Sequence, residues 1–336
     1  MTGGAAHVTP ARMHLAFALP PPAETGGGGG TDYIHGLVPA LRELGHEVGL
    51  LEGGDPVLPP CCVPVIDGML LPRLRPRLDE LVAADAVVLV HHVSAAAGRN
   101  DGAREGVLAI EREMLPRFRR VVTTSRPVAE RVRSEFGISA HPVLPGIDEL
   151  PRNDTDVDDP VILSVGVLTR RKGHDLLLRA MAGLTDLPWR LLIAGDAGRE
   201  PGHAAELGGL IEELGLARRA TLIADPARAD LQRAWEGATV FALATRWEGY
   251  ASAVAEALRR GVPVVVTDGG EAGTLVPPDA GAVCPRDDMA SFGKCLRRLL
   301  FDRKLRADMA EAAWQAGHRL PGWPEQAHAF AAIMES

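Results

Sequence analysis

"WEGYASAVAEALRRGVPVVVTDGG", residues 247–270, sets two glutamates, Glu248 and Glu256, eight positions apart. The apolar run "TVFALA" (239–244) precedes it, and a second run, "PVVVTD" (263–268), lies inside it. Apolar run, loop, amphipathic stretch and apolar run is the order of two parallel strands joined by a crossing helix. Glu248 then falls in the strand-to-helix loop. Glu256 falls about one turn into the helix, where a side chain leans back toward the helix start. Both carboxylates are thereby placed to face one ligand. The amides of Ala251, Ser252, Ala253 and Val254 lie at the helix N-terminus, where an anionic phosphate is favoured. Taken alone, a glutamate in a first turn is also ordinary compensation of the helix dipole.

The same alternation runs outward in both directions. "VILSVG", "WRLLIAGD" and "ATLIAD" read as strands, with helices at about 173–184, 203–214, 227–236 and 251–260. In the first half "HLAFAL", "EVGLL", "AVVLV", "RVVTTS" and "HPVLP" alternate with helical patterns at 32–44, 103–115 and 126–135. Such alternation implies parallel sheets wrapped by helices. The polar, proline-bounded stretch "PRNDTDVDDP" (151–160) is the expected linker. The chain is therefore expected to be α/β, with two Rossmann-like domains facing across a cleft. The division expected is a disordered lead-in at 1–12, a first domain at 13–150, the linker, and a second domain at 161–318. A terminal segment at 319–336 then follows, set off by the proline-bracketed "LPGWP". Ligands of such sheets bind beyond the carboxyl ends of the strands, which puts the site between the halves.

Composition narrows the class. At 336 residues and 46% hydrophobic, the chain can bury two cores. The net charge of −8 argues against nucleic acid, which needs a basic surface. Lysine occurs only at 172, 294 and 304, so a lysine inside a motif stands out. Cys61, Cys62, Cys284 and Cys295 have no metal-ligand spacing and suggest no disulfide framework. A cytoplasmic location is expected, with peripheral contact at the inner face of a membrane allowed. No apolar run reaches the ~20 residues of a membrane span, and residues 1–12 lack the apolar centre of a signal peptide.

Two further stretches bear on chemistry. In "SVGVLTRRKGHDLLLRAM" (164–181) a strand ends at Gly166 and a short loop carries Arg170, Arg171 and Lys172 into a helix. Cations in that position can hold a diphosphate, arginine by its planar fork and lysine as a point charge. The alternative is a solvated basic loop. In "TGGGGGTDYIHGLVPALREL" (25–44) the glycines invite comparison with a dinucleotide-binding turn. That turn begins directly after its strand, whereas "PPPAET" separates Leu19 from Gly26, which points to a longer loop.

Together the first two motifs resemble the retaining glycosyltransferases of the GT-B fold that carry an "E-x7-E" signature and a "VGxLxxxKGxxxL" loop. The likeness runs from "VILSVG" through "LPGWPEQAHAF" and is thinner in "VLVHH" and in "VVTTSRPVAERV" leading to "VLPGID". The resemblance implies a final helix that crosses back onto the first domain. It implies that Lys172 clamps the diphosphate of a nucleoside-diphosphate sugar, that Glu248 holds hydroxyls of its sugar, and that Glu256 holds the ribose. Arg170 or Arg171 would assist, and amides following Tyr250, at Ala251, Ser252 and Ala253, would meet the distal phosphate. Gly29 and Gly30 would let a first-domain loop approach the donor. His91 or His92, with His92 preferred, would bond the donor sugar near the reacting carbon. No cofactor and no metal are expected.

The pattern is broken at Val167, where the family often has arginine, at Ala251 for a glycine, and at Thr274 for an acidic residue. "DVD" (156–158) resembles a metal-binding motif of another glycosyltransferase fold, but its place in the linker reads as solvated acid. The acceptor is left open among a lipid, a natural product and a glycan, with loops around 20–30, 55–75 and 93–104 as determinants. A weakened GT-B protein that only binds sugar nucleotide, a sugar-nucleotide epimerase and an NAD-dependent oxidoreductase are the alternatives.

Overall fold

The computed structural model describes residues 12–21, 29–53, 56–93, 102–286 and 288–336. The lead-in up to residue 11, the glycines at 26–28 and the loop at 94–101 lie outside the described residues. The first half contains β1 (His14–Leu19), α1 (Gly29–Glu43), β2 (Glu47–Glu52) and β3 (Val63–Asp67), then the short helices α2 (Leu71–Leu74) and α3 (Leu78–Ala83). It continues with β4 (Val87–Val90), α4 (Gly102–Met114), β5 (Arg120–Thr123), α5 (Arg126–Phe136) and β6 (His141–Pro142). The second half contains β7 (Val161–Val165), α6 (His174–Ala182), β8 (Arg190–Gly195), α7 (Pro201–Glu213), β9 (Ala220–Ala224), α8 (Arg228–Glu236) and β10 (Val240–Leu243). After these come α9 (Ser252–Arg259), β11 (Val264–Thr267), α10 (Glu271–Thr274), β12 (Gly281–Cys284), α11 (Met289–Phe301), α12 (Arg303–His318) and α13 (Trp323–Glu335).

Each half forms one six-stranded sheet, ordered β2-β1-β3-β4-β5-β6 and β12-β11-β10-β7-β8-β9. The registered strand pairs run parallel. Central strands such as "VVLV" and "VVVT" are buried at every residue, as expected of sheets covered on both faces. Each order reverses direction once, between β1 and β3 in the first sheet and between β7 and β10 in the second. Loops leave a parallel sheet to opposite faces at such a reversal, and the crevice between them is where ligands enter.

The expected division into two α/β halves is what the sheets show, but two strands were not legible in the sequence. Pro59, Pro60 and Pro64 make the stretch before Asp67 look broken, yet Val63–Asp67 is a central strand. Pro64 sits where β3 pairs only with Ala16 of β1; pairing with β4 begins one residue later, at Val65. The missing proline N–H therefore removes no bond on the second side. β12, "GAVC", was too short to register. The structure also brings Cys284 and Cys295, unrelated by their spacing, to an Sγ–Sγ distance of 3.6 Å, with both thiols free.

The terminal helix crosses back as the resemblance implies. Ala327 and Phe330 of α13 are buried in the core of the first domain, and the Phe330 ring lies 5.8 Å from Phe17 of β1. Trp323 fills the space over Gly36 and Gly146, where added Cβ atoms would come within 2.1 and 2.4 Å of it. The edge of Tyr33 covers its ring at 5.8 Å. The two crossings touch: Ile147 N–H donates to the Pro321 carbonyl at 2.9 Å. Arg259 of α9, 3% exposed, donates to Glu149 at 2.7 Å and to the Leu320 carbonyl at 3.0 Å, so one buried guanidinium holds both.

The linker is fastened to the second domain. Asn153 donates to the carbonyls of Trp235 and Ala238 at 2.6 and 2.8 Å, and buried Arg306 donates to those of Thr155 and Val157 at 3.0 and 2.8 Å. Asp156 and Asp158 of "DVD" both pair with Arg303 there.

Candidate functional site

The loops that follow β7 and β10 carry the two expected motifs, and these strands are neighbours at the reversal of the second sheet. After β7 the chain makes a tight turn over Arg170–Lys172 and enters α6 through Gly173. Gly173 has φ +67°, and a Cβ on it would lie 1.9 Å from the Ala244 carbonyl oxygen at the end of β10. Only glycine lets the two loops approach this closely. As a result Lys172 Nζ reaches Glu248 Oε1 at 2.8 Å, with Arg171 Nη1 at 3.1 Å and the Thr245 hydroxyl at 3.0 Å from the same oxygen.

Glu248 is 5% exposed and Lys172 12% by side chain. Burial acts to raise the Glu248 carboxyl, but Lys172 and Arg171 outweigh it and hold its pKa below the ordinary carboxylate value. Burial lowers the Lys172 ammonium, against the pull of Glu248. Backbone bonds fix Glu248 as well: its N–H donates to Gly269 and its carbonyl accepts from Glu271. Arg171 also bonds the Trp247 carbonyl.

The two arginines part company here. Arg170 turns outward to a two-oxygen contact with Glu206 of α7 and does not join the cluster. Arg171 is thus the arginine that occupies the site, which corrects the expectation that either would serve. Val167 stands where the family often has arginine, and the Arg171 guanidinium lies four residues on, against Glu248.

Ala251 caps α9 without a side-chain bond. Of the four amides expected there, that of Val254 turns back to the Ala251 carbonyl at 2.9 Å, which leaves those of Ala251, Ser252 and Ala253 at the front of the helix. Tyr250 is largely buried, its hydroxyl unpaired and its pKa pushed up by burial. Glu256 accepts two bonds on Oε1 from Arg260, at 3.0 and 3.1 Å, while its side chain stays 31% exposed. Burial raises its pKa, and Arg260 opposes this. Arg260 itself is buried against the Trp235 ring. Glu248 and Glu256 therefore differ: the first is locked among cations, the second is half open and anchored from behind. Thr274, in place of an acid, bonds the Glu271 carbonyl.

From the first domain, His91 and His92 follow β4. A Cβ on Gly249 would lie 2.6 Å from the His91 carbonyl oxygen, so the loops after β4 and β10 meet across the cleft. His91 Nε2 stands 3.3 Å from Asp67 Oδ2, and its ring meets the Tyr33 ring edge-on. His92 is open to solvent. The surrounding walls of the cleft, and then the charges of His91 and Arg171, push its pKa down, which favours a neutral imidazole. Gly29 and Gly30 open α1 and are not part of an extended loop. The reading of 26–28 as a donor-closing loop lies outside the described residues.

Sequence reasoning missed Thr245, Asp67 and Glu271. Asp67 was hidden with β3, while Thr245 closes the run "TVFALAT" three residues before Glu248 and was readable in principle. Buried Glu271 has an unpaired Oε2 and a pKa raised by burial.

Residues 148–316, just over half of the chain, match the family model "Glycosyl transferases group 1". The chain belongs to that family. Among its relatives, the D-inositol 3-phosphate glycosyltransferase of Xylanimonas cellulosilytica is 29% identical over 62% of this chain and 55% of that one. The lipopolysaccharide core biosynthesis mannosyltransferase LpsB of Rhizobium meliloti is 29% identical over 53% of each. The chain thus spans about half the length of the curated relatives it matches. In fold, a sucrose-phosphate synthase of Thermosynechococcus elongatus superposes with TM-score 0.80 at 19% identity, covering 96% of this chain and 98% of that one. HepE of Anabaena, solved with UDP-glucose, gives 0.74 at 16% identity over 96% and 100%. The architecture is the GT-B fold. Among the described residues no helix is long and apolar enough to cross a membrane.

Proposed function

We propose that this group 1 glycosyltransferase moves a sugar from a nucleoside-diphosphate sugar to a hydroxyl acceptor, with retention at the anomeric carbon and without a metal. The observation that carries the reading is the buried Lys172–Glu248 pair at the sheet reversal, beside the open N-terminus of α9. The donor's diphosphate lies between Lys172, Arg171 and the amides of Ser252 and Ala253. In the transition state the bond from the anomeric carbon to the phosphate oxygen breaks, and negative charge collects on the leaving diphosphate. Fixed cations and amide dipoles in a poorly hydrated site stabilise that charge without reorganising. Their positive charge is the reason to propose transfer without a metal.

Glu248 Oε1 is committed to its three donors, and Oε2 accepts the hydroxyls of the sugar. Glu256, held from behind by Arg260, accepts from the ribose. His92, kept neutral, bonds the sugar near the reacting carbon. The acceptor oxygen attacks on the face that the phosphate leaves, and its proton passes to that phosphate, whose growing negative charge makes it the nearby base. Because HepE was solved with UDP-glucose, uridine diphosphate is the first nucleotide to test.

The test is a thermal-shift panel of UDP, GDP, ADP, dTDP and NAD, followed by mass spectrometry of donor turnover. Stabilisation by one nucleoside diphosphate together with sugar release supports the proposal. Binding without any release would make the chain a sugar-nucleotide-binding protein. Stabilisation by NAD alone would overturn the reading.

A further inference from the structure

Two thiols meet in the second domain. Cys284 ends β12 and Cys295 lies on α11, and their Sγ atoms are 3.6 Å apart. Cys284 is 2% exposed and belongs to the core, whereas Cys295 is half-buried and packs against that core from its margin. A buried cysteine often does no more than fill space as a small apolar side chain. Here the two sulfurs meet from different elements, which space-filling alone does not require. Among the described residues no group of three or more histidine, cysteine, aspartate and glutamate side chains gathers to hold a metal. A disulfide needs an S–S separation of about 2.05 Å, so the sulfurs must approach by about 1.5 Å, a movement of the size that a change of χ1 produces.

The position gives such a bond something to hold. β12 is the edge strand of its sheet, registered only with β11, from Val264 and Gly281 to Thr267 and Cys284. An edge strand has one ladder where a central strand has two. Phe292 and Leu296 of α11 share the core cluster that contains Cys284. A covalent link between the two sulfurs would therefore tie the sheet edge to the helix packed on it.

We propose that Cys284 and Cys295 form a redox-responsive dithiol, which a disulfide oxidant such as oxidised glutathione converts to a disulfide that staples β12 to α11. The inference is independent of the sugar-transfer reading. Cys295, the more accessible sulfur, attacks first: having lost its proton to water, it displaces one glutathione thiolate and forms a mixed disulfide. Burial, and then the contact with Cys295, push the Cys284 thiol up to about 12, so Cys284 resolves the mixed disulfide and does not start the reaction. Once deprotonated it attacks the Cys295 sulfur and displaces the second glutathione. Contact between the two sulfurs offsets the scarcity of its thiolate. The protein gives up two electrons and two protons, and the two glutathione thiols released carry both.

The test uses the full chain with Cys61→Ser and Cys62→Ser, which removes the other two thiols. The reduced protein is incubated with oxidised glutathione, quenched in acid, alkylated, digested and read by mass spectrometry, beside a thermal melt and amide hydrogen exchange. The expected result is a cross-link between residues 284 and 295 without bound glutathione, a melting temperature higher by about 5 °C, and slower exchange over β12. Dithiothreitol should reverse all three. Cys284→Ala should leave glutathione trapped on Cys295, and Cys295→Ser should leave Cys284 unmodified. Both thiols still open to alkylation after incubation would overturn the proposal. So would glutathione held on Cys295 while Cys284 is intact, or a cross-link that forms no faster in the folded chain than in one unfolded by denaturant. A cross-link that leaves melting and exchange unchanged would remove the staple. The decisive cross-link is read with both cysteines present, so poor folding of either single variant leaves the result standing.

Discussion

Lys172 and Glu248 are unequal partners, because the rest of the cluster compensates for the loss of only one of them. Without Lys172, Glu248 keeps Arg171 and Thr245. Lys172→Ala should therefore cost only about 1–2 kcal/mol of unfolding free energy, yet lower turnover by roughly a hundredfold or more. Glu248→Ala strands two cations and should cost about 3 kcal/mol. Denaturant melts of both variants beside donor-turnover rates check the asymmetry; equal stability losses would contradict it. His174, 1% exposed beneath Lys172 and bonded to Ser164, makes a pH prediction. Burial pushes its pKa down to about 4. The unfolded chain then binds the proton first, so stability falls as pH drops from about 6.5 toward about 4, by about 3 kcal/mol in all. His174→Gln should flatten that part of the curve, and an unchanged slope would remove His174 as its source. Lys172 was legible in the sequence because lysine is scarce and the loop pattern strict. The choice between Arg170 and Arg171 was not, since it depends on Glu206, which another helix brings to Arg170.

Elements were readable where periodicity was long and both ends were marked. α5 begins at Ser125, whose hydroxyl accepts the Val128 N–H, with a proline in the first turn. β3 defeated the reading because three prolines near it outweighed its apolar core. With β3 went Asp67, which stands beside His91. The strap formed by α13 was expected from the resemblance, while its anchor is a matter of shape: Trp323 lies on Gly36 and Gly146. Trp323→Ala should destabilise by about 2–3 kcal/mol and free the strap, read as faster limited proteolysis near residue 320. An unchanged cleavage rate would show that Phe330 and Ala327 hold the helix alone. Gly173→Ala should leave the helical signal intact but cut turnover, because its Cβ would collide with the Ala244 carbonyl and displace Lys172. Wild-type turnover in a folded variant would contradict this.

Across the whole molecule, the reversal of the second sheet puts out the two loops that carry Lys172, Arg171 and Glu248, and the loop after β4 of the first sheet meets them at Gly249. The sequence announced the two lobes and the linker, since alternation of strands and helices is a local pattern. It did not announce how the lobes are joined. That depends on Arg259 bonding Glu149 and Leu320 across both crossings, three segments far apart in the chain. The central claim is that a diphosphate sits between the loop after β7 and the start of α9 while Glu248 orients the attached sugar. A crystal structure of the chain with an intact nucleoside-diphosphate sugar tests it most directly. Phosphate oxygens within hydrogen-bonding reach of Lys172 Nζ and of the Ser252 and Ala253 amides, with a sugar hydroxyl on Glu248, are the predicted result. A diphosphate bound away from Lys172 and from the Ser252 and Ala253 amides, with no sugar hydroxyl on Glu248, would contradict it.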